Sequence, residues 1–437
     1  MPRLTNWAGN VTFTAAVLHR PRAVAELQHL VAASRNIRAL GTGHSFSTLA
    51  DSPGDLVTVA GVPADIDIDE DLDSPVGARR PTVSAGGGLR YGELAAAVNA
   101  RGYALRNLAS LPHISLAGAC ATGTHGSGVG NGNLSTAVVA IELIGPQGDR
   151  VNLSRTRDPE RFAGAVVNLG ALGIVTRLTL ALVPTYDVRQ YVYDDLPGHE
   201  LRSRAGEILS SGYSVSLFTT WQREEIEQVW RKLAFPRAGD PLASDPVPAP
   251  GELWHGARPA ASARHPLRTP PATFCTAQLG EAGPWHTRLP HFRMEFTPSY
   301  GDELQTEYLL PLTHAVEAFD AVAGLRQILA PVLLVSEIRT TDADDLWLSP
   351  SYARPTVALH FTWVKDEEAV RPVLGALEEV LAPFQARPHW GKLFAMAPSA
   401  VAATYPRLGD FARLRRQMDP DGKFGGALVD RYAPSSP

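Results

Sequence analysis

The chain is short of lysine and cysteine, has no long apolar run and carries no excess of positive charge. Each shortage excludes something. Only two cysteines, Cys120 and Cys275, occur in 437 residues, too few for a disulfide framework and in keeping with a reducing cytoplasm. No apolar stretch approaches the roughly 18 residues that cross a bilayer. The opening Met-Pro-Arg-Leu-Thr-Asn-Trp lacks the apolar core of a signal peptide, so a soluble cytoplasmic protein is expected. A net charge of −5 gives no electrostatic reason to bind nucleic acid or an anionic membrane. The 38 glycines and 35 prolines fall below the roughly 25–30% of a low-complexity chain. With 44% hydrophobic residues the chain can fill more than one core, and two domains are expected.

The lysine shortage is itself informative. Of 40 basic residues only Lys232, Lys365, Lys392 and Lys423 are lysines. Where arginine supplies the generic surface charge, each lysine is a candidate for a place that needs a compact ammonium with a shiftable pKa.

Apolar spacing predicts a helix over Ala23–Ala33 and another over Gly92–Asn99. Short strands are predicted at Ile37–Leu40, Leu56–Val62 and Thr82–Ala85, and longer ones at Val138–Ile144 and Ile174–Val183. Asp65-Ile-Asp-Ile-Asp opens like a calcium loop, but Glu70 replaces the turn glycine and the closing glutamate is missing. A strand with a solvated acidic face, running through Asp73, is expected instead. From Pro184 onward the pattern changes to longer antiparallel strands, interrupted by a Pro/Ala-rich passage from about Phe235 to Thr273.

Three strand candidates in that half share a pattern. His291–Thr297 places His291, Arg293, Glu295 and Thr297 on one face. Val335–Arg339 places Glu337 and Arg339 together, and Ala358–Val364 places His360 and Thr362 opposite Leu359, Phe361 and Trp363. Periodicity alone leaves open whether that polar face lines a pocket or meets water. No P-loop, HExxH, GxSxG or metal-ligand spacing occurs, and no metal is expected.

Gly41-Thr-Gly43-His-Ser-Phe46 fails as a dinucleotide fingerprint because Phe46 stands where the third glycine belongs. It still offers backbone N–H groups in a tight turn, as does the longer small-residue run Ser115–Gly128. Two such loops point to a large phosphate-bearing cofactor held in some other way.

These residues carry a resemblance. Gly41–Ser45, Leu108–Gly132, Gly170–Thr176 and His389-Trp-Gly-Lys392, with Asn6–Asn10 near the start and Asp419–Phe424 near the end, resemble the vanillyl-alcohol oxidase superfamily. Within it they are similar to the sugar-lactone and alditol oxidases. The resemblance implies an α+β flavoprotein of two domains. An FAD-binding domain would span 1–185 and be completed by 393–437; a substrate-binding cap domain on an antiparallel sheet would span 186–392.

It also implies FAD bound covalently through His44, with Gly41, Thr42, Gly43, Ser45, Phe46, Ser110, Ser115, Gly118, Ala121, Thr122, Gly123, Thr124, His125, Ile174 and His389 around it. Ser110, Glu337, Arg339, Thr362 and Lys392 fall at substrate-binding positions. Arg339, Lys392, Glu337 and His360 fall at catalytic ones. The implied reaction is oxidation of the terminal alcohol of a small polyol, with O2 reduced to hydrogen peroxide, by a monomer. An aldonolactone oxidase or dehydrogenase is the alternative, and a flavin carrier without turnover would have no use for the Glu, Arg, Lys and His set. Cys120 is expected to be a packed residue rather than a second flavin tether, and His291 and Arg293 to be ion-paired structural residues. For His125 both a cofactor contact and a turn brace stay open.

Overall fold

The computed structural model describes residues 4–70, 81–236, 248–249, 251–267, 270–296 and 301–435. The strands fall into sheets that use different parts of the chain. Leu18–His19, Asp55–Val57 and Ile37–Ala39 form a small parallel sheet with Asp55–Val57 in the middle. Asp67–Asp69, Thr82–Gly86, Ile174–Ala181, Val138–Ile144 and Arg150–Ser154 follow one another across an antiparallel sheet. From Tyr186 to Pro388 the strands belong to one antiparallel sheet of nine, with Ser214–Thr219, Leu333–Thr341, Thr356–Val364 and Glu303–Pro311 side by side at its centre.

The large sheet has one greasy face. Leu304, Tyr308, Ile338, Leu359, Phe361 and Trp363 pack against the helices Gly198–Leu209, Ala315–Ala323 and Glu367–Leu381. The alternate residues face the other way, as a period of two requires. Near the C-terminus the helix Leu408–Met418 returns to the first half of the chain, where Phe411 and Leu414 share a core with Phe162.

Two buried cations stitch that return. Lys423 donates from Nζ to the carbonyls of Val31 (2.7 Å), Ala32 (3.3 Å) and Pro146 (2.6 Å), covering the open end of the helix Val24–Ala33. Its own turn is built by Asp419, whose carboxylate accepts from the N–H groups of Lys423 and Phe424. Arg38 spreads its guanidinium over the carbonyls of Leu49 (2.7 Å), Leu169 (2.7 Å) and Phe424.

Three expectations need correction. His291–Thr297 is not a strand: His291 to Phe296 form a bend and turn with a single bridge, Phe292 to Cys275, and Thr297 lies outside the described residues. The alternation there reflects side chains held one at a time, as when His291 N–H bonds to the Ser110 carbonyl (3.0 Å). The predicted strand Leu56–Val62 stops at Val57, because Val62 N–H turns back to the Val59 carbonyl. Arg293 has no ion pair among the described residues; it donates to the carbonyl of Cys275 (2.8 Å). The acidic stretch forms the edge strand Asp67–Asp69 with both aspartates exposed, while Asp71–Asp73 lie outside the described residues.

Arg38→Met would leave three buried carbonyls without a donor. A loss of about 3–5 kcal/mol is expected, measured as a lower urea midpoint with unchanged slope. A loss under about 1 kcal/mol would show that the stitch does not matter.

Candidate active site

The glycine loop after Ile37–Ala39 is built for an anion. The N–H groups of Gly41 to Ser45 have no hydrogen-bond partner among the described residues, and all five residues line a cavity of about 350 Å3, within the usual range for ligand pockets. Gly43 takes a left-handed φ of +74°. Gly41 is tight for a different reason: a Cβ there would sit 2.5 Å from the hydroxyl of Ser115, which would have to turn away. The two small-residue loops therefore close on each other. A pyrophosphate-bearing cofactor fits such a run of free donors.

Of the residues assigned to the cofactor, Gly41 to Phe46 line the cavity, as do Ser110, Ser115, Gly118, Ala121, Thr122, Thr124, His125 and His389. Two do not. Ile174 turns its side chain into a core cluster with Ile37, Ile144 and Phe424, while Gly173 and Val175 beside it reach the cavity. Gly123 stands behind the wall, where a Cβ would meet Pro350 at 3.2 Å.

His44 stacks on Trp7, with ring centroids 5.3 Å apart, and its Nδ1 lies 3.0 Å from the Thr42 hydroxyl. Burial, helped by His113, lowers its pKa to about 4, so the ring is an uncharged nucleophile at neutral pH. Cys120 is no competitor. It is buried outside the cavity against the Tyr91 hydroxyl (3.3 Å), and burial pushes its thiol up to about 11.

The polar face of the large sheet closes the other side of the cavity. Its register sets the chemistry. His360 stands directly between Glu337 on one neighbouring strand and Glu307 on the other. One row along, Arg339 lies opposite Ala358, whose methyl leaves room for the guanidinium to reach across. Arg339 Nη2 donates to Glu307 Oε1 (2.6 Å), Nη1 donates to the Ser110 hydroxyl (3.2 Å), and Nε stands 3.6 Å from Glu337. Lys392 Nζ donates to Glu307 Oε2 and to His360 Nδ1, both at 2.7 Å. The far ring nitrogen of His360 bonds to Thr362 Oγ1 (3.1 Å).

Lys392 arrives on a turn that is docked from both sides. His389 N–H and Leu393 N–H donate to the carbonyls of Glu307 and Gln305 (both 2.9 Å), and Phe46 N–H donates to the Gly391 carbonyl (2.7 Å). His125 Nε2 lies 3.2 Å from Glu307 Oε1, so this histidine joins the polar cluster as well as its own loop.

Charges balance in this wall. Burial alone would raise Glu307 and Glu337, but Lys392 and Arg339 outweigh it at the first and Arg339 at the second, holding both carboxyls well below the usual range. Burial would lower Arg339, and the two glutamates raise it overall. Lys392 is lowered, by burial first, against the pull of Glu307. Burial and the nearby Lys392 keep His360 and His389 uncharged. Two anions thus face two cations, an arrangement suited to a neutral ligand rich in hydroxyls.

All six substrate and catalytic residues expected from the sequence meet here. Glu307 was not among them, although it makes the most ionic contacts. Its signal was available: Glu303, Gln305 and Glu307 alternate with Leu304, Thr306 and Tyr308, the same pattern that singled out the neighbouring strands. His291, expected to pair with a charged group, does so and also reaches the site. It lines the cavity, with Nε2 2.7 Å from Glu337 Oε1.

Comparison with known proteins agrees with this geometry. Residues 15–154 match an FAD binding domain family and residues 299–432 the D-arabinono-1,4-lactone oxidase family. Alditol oxidase from Streptomyces sp. is 50% identical over 429 residues, covering 98% of both chains. The chain belongs to the alditol oxidase family of flavoproteins. L-gulono-1,4-lactone dehydrogenase from Mycobacterium tuberculosis is more distant, at 27% identity over 97% of both chains. A crystal structure of cholesterol oxidase from B. sterolicum shares the fold, with a TM-score of 0.74 at 15% identity over 99% of this chain and 96% of that one. Among the described residues no helix is long and apolar enough to cross a membrane.

Burial lowers His265 and His291 to about 4 and His389 to about 3. Each folded value lies below the unfolded value of about 6.5, so their contribution is complete above that pH. It is lost as pH falls from 6.5 toward 4, because the unfolded chain takes up protons first. Unfolding free energy should drop by about 1.4 kcal/mol per pH unit for each histidine in this window. Stability that stays flat from pH 6.5 to 4.5 would mean that these rings take up protons in the folded protein as readily as in the unfolded chain.

Proposed function

We propose that this cavity oxidises the terminal primary alcohol of an alditol such as xylitol or sorbitol to the aldose, with O2 reduced to hydrogen peroxide. In this reading residues 1–185 and 393–437 hold the flavin, residues 186–392 present the substrate, and the enzyme works as a cytoplasmic monomer. The observation that carries it is the convergence of Ser110, Glu337, Arg339, His360, Thr362 and Lys392 opposite the free N–H groups of the His44 loop.

Bound FAD would supply the acceptor for the hydride that leaves the alcohol carbon, while the hydroxyl proton is released and reappears in the hydrogen peroxide. The residues of the chain do the rest. Lys392 has two N–H groups committed to Glu307 and His360, and its third is available to the reacting hydroxyl. Arg339, tied to Glu307 and Ser110, brings a second fixed donor to the same oxygen. Both are set in place before charge develops there, which is where a preorganised donor contributes most. Glu337 and Thr362 accept hydrogen bonds from further hydroxyls of the chain. A substrate that lacks them leaves buried polar groups unpaired, which penalises simple alcohols. His44, neutral and lining the cavity, is the group we assign to the covalent tether. The lactone enzymes are the less favoured alternative, since the relative of that activity is the more distant one.

Acid precipitation separates the tether from the fold. Yellow flavin should stay with the wild-type pellet and pass to the supernatant in His44→Ala; a yellow His44→Ala pellet would place the bond elsewhere. Lys392→Met should keep its flavin and lose about 100- to 1,000-fold in kcat for xylitol, read as peroxide release. Equal turnover of xylitol by wild type and variant, or peroxide from L-gulono-1,4-lactone but not from xylitol, would overturn the assignment.

A further inference from the structure

Lys232 belongs to none of the groups assigned above, yet its side chain has no exposed surface at all. It sits on the strand Ile226–Pro236, paired with Gln190 on one side and Ser214 on the other. Its Nζ meets three acceptors on one short turn: the carbonyls of Leu289 and Pro290 (3.2 Å), and Nδ1 of His291 (3.1 Å). The opposite nitrogen of the same ring is 2.7 Å from Glu337 Oε1, with the Ser216 hydroxyl at 3.4 Å. Trp230 and Phe218 hold the ring edge-on from two sides, with centroids 5.1 and 5.7 Å away.

Proton counting assigns this chain of contacts. A neutral imidazole carries one N–H. Glu337, ionised beside Arg339, can only accept, so the ring proton has to sit on Nε2. Nδ1 is then a bare lone pair and needs a donor. The carbonyls of Leu289 and Pro290 also only accept. Three acceptors around one nitrogen match the three N–H groups of an ammonium, whereas a neutral amine has only two. Burial lowers Lys232 to about 7 against the opposing pull of Glu337 and Cys275, so below that pH the ammonium is the form present.

We infer that Lys232 is a positioning residue: its three N–H groups hold the 289–291 turn and supply the donor that the bare Nδ1 of His291 needs, which fixes the ring against Glu337 and so aims Glu337 at the substrate. The last link rests on the reading of Glu337 as a substrate-binding group. An arginine could not replace this lysine, since a planar fork does not direct three donors onto one tight turn.

The test uses the full flavoenzyme labelled with 15N in its histidine rings, at pH 6, with the His291 signals identified by their absence in His291→Asn. The wild type should show a protonated Nε2 and a bare Nδ1. Lys232→Met should move the Nδ1 signal, which loses its donor, keep its flavin, and raise KM for xylitol by about tenfold or more. A protonated Nδ1 in the wild type overturns the inference, and this result needs no variant to fold. So does a Lys232→Met enzyme that keeps both the Nδ1 signal and the KM. Glu337→Gln separates the two claims. An unchanged KM there overturns Glu337 as a substrate group, while an impaired Glu337→Gln beside an unimpaired Lys232→Met overturns the role of Lys232 alone.

Discussion

The wall of the cavity depends on one buried carboxylate. Glu307 is 1% exposed and accepts from Arg339 on one oxygen and from Lys392 on the other. Two cations in a dry pocket repel each other and lose their hydration, and several kcal/mol oppose placing them there without compensation. Glu307 makes their coexistence tolerable and fixes their direction. The backbone carbonyl of the same residue anchors the turn that delivers Lys392, so one position sets both the charge and the geometry.

Around that centre the sheet register does the arranging. A row of Glu337, His360 and Glu307 on three adjacent strands puts a neutral ring between two anions, and the cations reach in from above. A slip of one residue on any of these strands would move its polar set to the helix-packed face. The apolar side, with Leu359, Phe361 and Trp363 locked under three helices, therefore protects the chemistry of the polar side. The opposite wall is backbone rather than side chain, a glycine turn of free donors that closes on a second loop where Ser115 fills the gap.

Much of this was legible in the sequence, for identifiable reasons. Strict alternation over Val335–Arg339 and Ala358–Val364 put Glu337, Arg339, His360 and Thr362 on one face, and all four line the cavity because both are central strands with one greasy face. The scarcity of lysine pointed at real sites: Lys232, Lys392 and Lys423 each make specific contacts with carbonyls, a histidine or a carboxylate. The glycine loops were legible because small residues let the backbone line a cavity, and the N–H groups of Gly41 to Ser45 have no partner among the described residues. The same alternation misled at His291–Phe296, which has no partner strand among the described residues beyond one bridge. Pairing is a tertiary fact that a period of two cannot supply. Glu307 escaped because its strand carries Thr306 on the greasy face, where it accepts from the Trp363 indole (3.1 Å), and so reads as less clearly two-sided. The contact of His291 with Glu337 joins residues 46 apart in the chain, and no local pattern encodes it.

The most direct test of the central carboxylate is stopped-flow reduction of the bound flavin by xylitol without oxygen, comparing wild type with Glu307→Gln. The amide keeps the shape and removes the charge that Arg339 and Lys392 share. Flavin content should be unchanged while the reduction rate falls by about 100-fold or more, a loss of at least about 2.7 kcal/mol of transition-state stabilisation. A rate within about twofold of wild type would contradict the claim that Glu307 holds the two cations in working order.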